Sequence, residues 1–231
     1  MKLPTTIAID GPAASGKSTL AKRMAEALEY LFFDTGVMYR AITCAALSAG
    51  LSMDEEAKIT ALSQAAQIDV QPASADDGRD NDILLDGVDI TWAIRRPEVD
   101  ANVSVVSAYP GVRAALTAQQ RRIGQRGRVV MVGRDIGTVV LPEADLKLYL
   151  DASVEERAQR RYDERLRRGD AISLDVVLAD MRKRDEIDST RDIAPLRPAH
   201  DAVILDSDHM TIEQVFAYAL KLARGEAGSA E

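Results

Sequence analysis

The sequence predicts an α/β fold in which a five-stranded parallel sheet carries helices on both faces. Five short apolar runs have the length and composition of buried strands. They are Thr5–Asp10, Tyr30–Phe33, Arg128–Val132, Leu146–Leu150 and Ala202–Leu205. Stretches of helical periodicity separate most of these runs, as a parallel sheet requires because each crossover passes over one face of the sheet.

The first strand leads into a glycine-rich loop and then into a helix. Residues 11–18 match the pattern G-x-x-x-x-G-K-S, and apolar residues recur at helical spacing over residues 20–28. The backbone N–H groups of such a loop, together with a helix N-terminus, bind phosphate. The motif therefore predicts a nucleoside triphosphate site, and the alternative is a Gly/Ser-rich turn without a ligand.

A long interval of different character separates the second and third strands. A helical stretch runs from Val37 to Gln67, and the polar segment PASADDGRDND follows it. The next segment, ILLDGVDI, places Asp86-Gly87 between two apolar pairs, which is a strong signal for a β-hairpin. We expect residues 66–115 to form a small antiparallel sheet with a helix, inserted into a core of residues 1–65 and 116–231.

Composition narrows the class of protein. The chain has 231 residues, which suits one large domain or a core with an insertion, and its net charge of −8 argues against a general nucleic-acid or membrane binder. Cys44 is the only cysteine, which excludes an internal disulfide and a cysteine-cluster zinc site. His200 and His209 are too isolated for a metal site. Because no apolar run has membrane-spanning length and no signal-peptide core is found, we expect a cytoplasmic enzyme.

Arginines concentrate where the predicted strands end. Arg40 and Arg134 follow the second and third strands, at the carboxyl edge of the sheet where open α/β folds bind ligands. Their guanidinium groups can converge on one phosphate, whereas the alternative makes them surface salt-bridge residues. Segment Glu155–Asp170 has two interpretations, a solvated helix with ion pairs or part of a mobile lid at about residues 155–190. Arg182–Arg191 mixes acids with bases, which suits a polar nucleotide better than a nucleic-acid backbone.

Four segments together resemble the bacterial cytidylate kinases, a family of nucleoside monophosphate kinases. They are IDGPAASGKST, DTGVMYR, GRDIGTVV and RDEIDSTRDIAPL, and the resemblance extends from Ile7 to Arg224. It implies a phosphate-loop (P-loop) kinase core, a monophosphate-binding insertion and a helical lid. It also implies phosphoryl transfer from ATP, with Mg²⁺ as cofactor, to CMP or dCMP. We expect a monomer that binds these small molecules and neither nucleic acid nor membrane.

The resemblance also implies a role for each matching residue. Lys17, Arg134 and Arg184 would act on the transferring group, and Ser18 would bind magnesium. The residues implied to bind ATP are Gly11, Pro12, Ala13, Ala14, Ser15, Gly16, Lys17, Ser18, Thr19, Arg157 and Arg161. Those implied to bind the acceptor are Thr35, Arg40, Ser104, Arg113, Arg134, Asp135, Arg184, Asp188 and Arg191. Asp135 can accept from the exocyclic amine of cytosine, whereas uracil presents a carbonyl there and leaves the carboxylate unpaired.

One position departs from the family pattern. Val132 precedes the segment GRD, where the family commonly has an acid, and an acid at such a strand end supports magnesium. We therefore expect another carboxylate to support the ion. The candidates are Asp34 at the end of the second strand and Asp10 at the end of the first.

Other functions share some of these features. A signalling GTPase would need Asn-Lys-x-Asp to read guanine, but neither Asn81 nor Asn102 precedes a lysine. A non-catalytic nucleic-acid-binding module would account only for the arginine-rich stretch, and the acidic charge balance counts against it. A P-loop kinase of another small acceptor stays open as the alternative. That acceptor would be another nucleoside monophosphate, or a hydroxyl compound such as shikimate, which would need a carboxylate base.

Overall fold

The computed structural model describes residues 3–167 and 169–226, so residues 1, 2, 168 and 227–231 of the predicted core and lid lie outside it. The strands are β1 (Thr6–Asp10), β2 (Leu31–Asp34), β3 (Ile68–Pro72), β4 (Asn81–Leu85), β5 (Val88–Asp89), β6 (Val129–Val132), β7 (Leu146–Asp151) and β8 (Val203–Asp206). The α-helices are α1 (Lys17–Leu28), α2 (Gly36–Ser48), α3 (Glu56–Ala65), α4 (Pro97–Ala108), α5 (Pro110–Gly124), α6 (Val154–Arg167), α7 (Leu174–Thr190) and α8 (Ile212–Arg224). A 3-10 turn covers Ala93–Arg95, and a π-helical turn covers Ile136–Val140.

A parallel sheet forms the centre of the molecule. Among the described residues it has five strands in the order β2-β6-β1-β7-β8, and all neighbours are parallel. The five strands predicted from the sequence are confirmed, and each begins and ends within one residue of the predicted run. In the central strand, Ile7, Ala8 and Ile9 have no exposed surface, because helices cover both faces of the sheet. Burial on both faces explains why this strand is an uninterrupted run of apolar residues in the sequence.

A separate antiparallel sheet, in the order β3-β4-β5, confirms the predicted inserted sheet and hairpin. Asp86 and Gly87 turn the hairpin with φ angles of 51° and 82°. Tight two-residue hairpins require such positive φ values, which is why Asp-Gly is favoured there. The sheet leads into α4 and α5, and α5 continues without a break past residue 115.

The prediction of one helical stretch from Val37 to Gln67 is wrong, because α2 and α3 are separate helices. Gly50 adopts a φ of 68°, its N–H donates to the Leu47 carbonyl, and the N–H of Leu51 donates to the Ala46 carbonyl. This pair of bonds around a left-handed glycine is the Schellman end of a helix. Gly50 is therefore a helix stop signal, and the prediction of a single helical stretch did not take it into account.

Two apolar cores lie on the two faces of the parallel sheet. One contains Phe33 and Met131 and continues into the residues of the antiparallel sheet, and the other packs α1 and α8 against Ile7 and Leu148. A third, small cluster between α6 and α7 reaches Ala13 in the glycine-rich loop. Within residues 3–167 and 169–226, no helix combines the length and the apolar composition that a membrane span requires.

Candidate active site

The carboxyl ends of β1, β2 and β6 meet at one edge of the sheet. Asp34 pairs in register with Val132, and Val132 also pairs with Ile9, the residue before Asp10. The glycine-rich loop leaves this edge after β1, and the segment with Arg134 leaves it after β6. Segments far apart in the chain therefore begin side by side, as open α/β sheets require of a ligand site.

The glycine-rich loop passes very close to β7. A Cβ atom at Gly11, where φ is 146°, would lie 2.1 Å from the carbonyl oxygen of Leu150, so only glycine fits. Lys17 begins α1, and its buried ammonium donates to the Pro12 carbonyl. Burial lowers the pKa of Lys17 well below its usual range, and the nearby charge of Arg134 lowers it further. An anion bound in the loop would favour the charged form of this lysine.

The hydroxyl of Ser18 meets a carboxylate at the sheet edge. Ser18 Oγ donates to Asp34 Oδ2 at 2.9 Å, and Asp34 Oδ1 accepts from the amide of Gly36 at 2.9 Å. Val132, the register neighbour of Asp34, is 2% exposed and apolar. A hydroxyl and a carboxylate are hard oxygen donors of the kind that Mg²⁺ prefers, so these residues fit the ion.

Asp10, the other candidate for supporting magnesium, has both carboxylate oxygens hydrogen-bonded to backbone amides. Its Oδ1 accepts from the amide of Ile136 at 2.8 Å and its Oδ2 from the amide of Gly137 at 2.7 Å. Burial raises the pKa of Asp10 to about 6, although these two hydrogen bonds lower it in part. Among the described residues, no group of three or more His, Cys, Asp or Glu is placed to hold a metal by itself. Asp34 is therefore the better candidate.

A cleft of about 1000 Å³ runs from the glycine-rich loop to α4 and α5. It brings together most of the residues predicted for the site. Those that line it are Ala13, Ala14, Gly16, Lys17, Ser18, Thr19, Thr35, Arg40, Ser104, Arg113, Arg134, Asp135, Arg161, Arg184, Asp188 and Arg191. The predicted residues that do not line it are Gly11, Pro12, Ser15 and Arg157.

A buried ion pair lies in the wall of this cleft. Arg113 Nη2 donates to Asp135 Oδ2 at 2.8 Å, and their side chains are 5% and 9% exposed. Arg191 lies 3.8 Å from the other oxygen of Asp135. The buried Nε of Arg113 and one terminal nitrogen of Arg191 have no hydrogen-bond partner among the described residues. Because buried donors are normally satisfied, these two point to a ligand or water that completes the site.

Tyr39 adds an aromatic ring to the same wall, a contribution that was not predicted from the sequence. Its ring centroid lies 5.6 Å from the guanidinium carbon of Arg113. The ring is 9% exposed, and burial raises the pKa of its hydroxyl. Its position directly before Arg40, in the segment that follows β2, is the signal that could have identified it.

The middle of the cleft is crowded with cations. Arg134 Nε donates to Asp188 Oδ2 at 2.9 Å, and Arg191 lies 3.6 Å from the other oxygen of Asp188. Desolvation by the surrounding residues, and then the nearby charge of Arg134, lower the pKa of Arg184. The charges of Arg161 and Arg40 act on Arg184 in the same direction. Such mutual repulsion is relieved by a bound anion, so this part of the cleft is suited to phosphate groups.

Arg40 and Thr35 lie on the β2 side. Arg40 donates through Nη1 to the Ile94 carbonyl at 3.3 Å and to the carboxylate of Asp100 on α4. Thr35 is buried, and its hydroxyl donates to the Val132 carbonyl at 2.9 Å. The ion pair with Asp100 joins the core to the inserted segment, which the sequence did not predict.

Arg157, which the resemblance implies to bind ATP, does not line the cleft. Its Nε donates to the Ala152 carbonyl at 2.9 Å, and its Nη1 to the Ala13 carbonyl at 3.2 Å. Its two terminal nitrogens also bind Asp185, at 3.1 and 2.6 Å. The side chain is 5% exposed and supports the glycine-rich loop from behind.

A second cavity, of about 440 Å³, opens on the far side of the glycine-rich loop. Gly16, Thr19, Arg160, Arg161 and Met210 are among the residues that line it. Arg160 donates to the hydroxyl and carbonyl oxygens of Ser207 at 3.2 and 2.9 Å. Neither Arg160 nor Ser207 was predicted from the sequence, although Ser207 follows β8 at the same sheet edge.

Comparison with known proteins identifies the family. The family model described as cytidylate kinase matches residues 7–225. A cytidylate kinase from Chloroflexus aggregans is 50% identical over 220 residues, which cover 95% of this chain and 94% of that protein. One from Roseiflexus castenholzii is 49% identical over 218 residues, or 94% of this chain and 92% of that protein.

A solved structure of an uncharacterized protein from Eubacterium ventriosum ATCC 27560 has a TM-score of 0.50 and 11% identity, and covers 94% of this chain and 97% of that one. This likeness shows a shared fold alone. The family model and the two relatives each match more than nine tenths of the sequence. The glycine-rich loop and the cleft lie inside the region that the family model matches. The chain belongs to the cytidylate kinase family.

Proposed function

We propose that the enzyme transfers the γ-phosphoryl group of ATP to CMP or dCMP and releases ADP with CDP or dCDP. The observation that carries the proposal is the buried Arg113–Asp135 pair, which lies in the wall of an arginine-rich cleft that also contains the glycine-rich loop. The loop suits the phosphates of the donor. The buried pair suits a polar base, and the arginines between them suit the phosphate of the acceptor.

Cytosine fits the groups around Asp135 better than uracil does. The hydrogen bond from Arg113 reaches only one oxygen of Asp135, so the carboxylate can also accept from the exocyclic amine of cytosine. The free Nε of Arg113 can donate to an acceptor on the ring of the base. With uracil, a carbonyl would face the buried carboxylate, at a cost of about 1–3 kcal/mol. Ser104, exposed on α4, completes this proposed base site.

Arg40, Arg134 and Arg184 are proposed to hold the acceptor phosphate near the donor, with Thr35 beside them. Asp188 and Arg191 would bind the ribose and the base. No general base is needed, because the attacking oxygen belongs to a phosphate that is already ionised at neutral pH. Positioning and charge stabilisation therefore supply the rate, as is usual in phosphoryl transfer. Lys17 and Arg184 would stabilise the charge on the transferring group.

Magnesium would be held by Ser18, with Asp34 acting on the hydroxyl and on metal-bound water. When bound, the ion would offset the negative charge of the donor phosphates. Asp34 takes over the place of the usual acid because it lies beside Val132 in the sheet register. The carboxylate at this edge of the sheet therefore lies on β2, next to the end of β6 where Val132 stands.

At the donor end, the second cavity is proposed to hold the adenine of ATP. Arg160 and Arg161 on α6 would cover it, and Arg157 would position the glycine-rich loop through the Ala13 carbonyl. Residues 155–190 are proposed as the lid and residues 66–115 as the monophosphate-binding insertion, although α5 continues beyond that limit. The monomeric state and the cytoplasmic location stay predictions from the sequence.

A single assay tests the function. ADP release from ATP is measured with CMP, dCMP, UMP, AMP, GMP and shikimate as acceptors, at equal concentrations. We expect CMP and dCMP to be preferred over UMP, because cytosine offers an amine to Asp135 and acceptors to Arg113, whereas uracil presents a carbonyl to Asp135. A preference for another nucleotide, or for shikimate, would replace the proposed acceptor and leave the kinase family unchanged.

A further inference from the structure

Asp10 is a buried carboxylate that no step of the proposed reaction uses. It ends β1 and is 3% exposed. Burying an ionised carboxylate is costly unless hydrogen bonds compensate it. Asp10 receives two such bonds, one on each oxygen, from the successive amides of Ile136 and Gly137.

Those amides belong to the turn that carries two proposed acceptor-binding residues. The turn spans residues 133–137 and includes Arg134 and Asp135. At its start, the amide of Gly133 donates to the Ile9 carbonyl at 3.1 Å. Because Asp10 binds the end of the turn, two consecutive residues of β1 fasten it at both ends.

The turn also packs tightly where Asp10 holds it. A Cβ atom at Gly137 would lie 3.4 Å from Asp10 Oδ2 and 3.2 Å from Cδ of Lys147. Ile136 has no exposed surface. The position of the turn is therefore set by packing and by hydrogen bonds together.

We propose that Asp10 is a positioning residue that sets where Arg134 and Asp135 stand relative to the glycine-rich loop. Asp10 is bonded covalently to Gly11, the first residue of that loop, and through its side chain to the turn. One residue thus joins the segment proposed to hold the donor to the segment proposed to hold the acceptor. The inference rests on the proposed function, which places the acceptor at Arg134 and Asp135.

The test compares Asp10→Asn with a matched control, Asp145→Asn. The asparagine keeps the size of the side chain but replaces one accepting oxygen with an NH₂ group. Asp145 also accepts from two successive backbone amides and does not line the cleft. Its Oδ2 accepts both, from Thr5 at 2.7 Å and Thr6 at 3.0 Å, so the control removes the same charge but can keep both bonds. For each protein, kcat/KM is measured with CMP and with UMP, together with the KM for ATP and the Tm.

We expect Asp10→Asn to lower kcat/KM for CMP by about 10- to 100-fold, the effect of misplacing reacting groups by an ångström. The ratio of CMP to UMP activity should also fall, because Asp135 moves, while the KM for ATP changes little. Asp145→Asn should change Tm without changing that ratio. Gly137→Ala crowds the turn but keeps Asp10, and it should also lower the ratio of CMP to UMP activity. This variant replaces Asp10→Asn in the test if Asp10→Asn does not fold.

A CMP to UMP ratio in folded Asp10→Asn equal to that of the wild type would overturn the inference. So would an equal loss of the ratio in Asp145→Asn, which would assign the effect to general destabilisation. A wild type that does not prefer CMP would overturn the proposed function instead, so the two failures are distinguishable.

Discussion

Replacing Asp34 by asparagine tests how a chain with Val132 in place of the usual acid supports magnesium. In the structure, Asp34 Oδ2 accepts from the hydroxyl of Ser18 at 2.9 Å, and Oδ1 accepts from the amide of Gly36 at 2.9 Å. An asparagine can keep the bond to Gly36 through its single carbonyl oxygen. Its NH₂ group then faces Ser18, so the negative charge and the acceptor for the hydroxyl are both lost.

The size of the effect follows from the type of bond. A hydrogen bond to a charged group contributes about 1.5–3 kcal/mol. At 1.4 kcal/mol for each factor of ten, the magnesium concentration for half-maximal activity should rise by about 10- to 150-fold. Because Asp34 is proposed to act on the ion and its water, activity should return at high magnesium, with a kcat near that of the wild type.

The assay is a magnesium titration of ADP release at saturating CMP. Asp80→Asn is the control, since Asp80 binds the exposed Lys22 and does not line the cleft. Val132→Asp restores the usual acid and, combined with Asp34→Asn, should recover part of the lost affinity. An unchanged titration curve for Asp34→Asn would refute the reasoning, as would a wild type that is inactive at saturating magnesium.

Three further predictions concern single residues of the site. Lys17→Ala should abolish most phosphoryl transfer and keep the far-ultraviolet circular dichroism spectrum, because the ammonium supplies charge and not apolar packing; near-normal turnover of the folded variant would contradict this role. Asp135→Asn should narrow the kcat/KM preference for CMP over UMP, since an amide can donate to the uracil carbonyl; if both activities fall equally, Asp135 serves structure. Burial raises the pKa of Asp10 from 3.8 to about 6, so the fold disfavours its ionised form and stability is lost as pH rises through this window. Between pH 4 and 7 the wild type should lose up to about 3 kcal/mol of unfolding free energy relative to Asp10→Asn, measured by urea titration, and parallel pH profiles would exclude this.

Local patterns in the sequence determined the parallel sheet and the loop that begins the site. The five strands were predictable because each is a short apolar run, and the Asp86-Gly87 hairpin because a tight turn needs positive φ. The position of Arg134 at a strand end was predictable for a similar reason, since topology sends all such ends to one edge of the sheet. The stop at Gly50 was also local, but a continuous helical pattern around it hid the signal.

Packing between distant segments decided the rest of the site. Arg157 and Arg160 lie three residues apart on α6, yet the first is buried behind the glycine-rich loop and the second lines the smaller cavity. Asp10 and Asp34 both end strands, and they differ only in what the tertiary structure places opposite them. Two backbone amides from a distant turn meet Asp10, whereas Asp34 meets the hydroxyl of Ser18 and the amide of Gly36, two residues further along the chain. A sequence specifies which groups are available, but the role of a charged side chain depends on its partners, and folding alone brings those partners together.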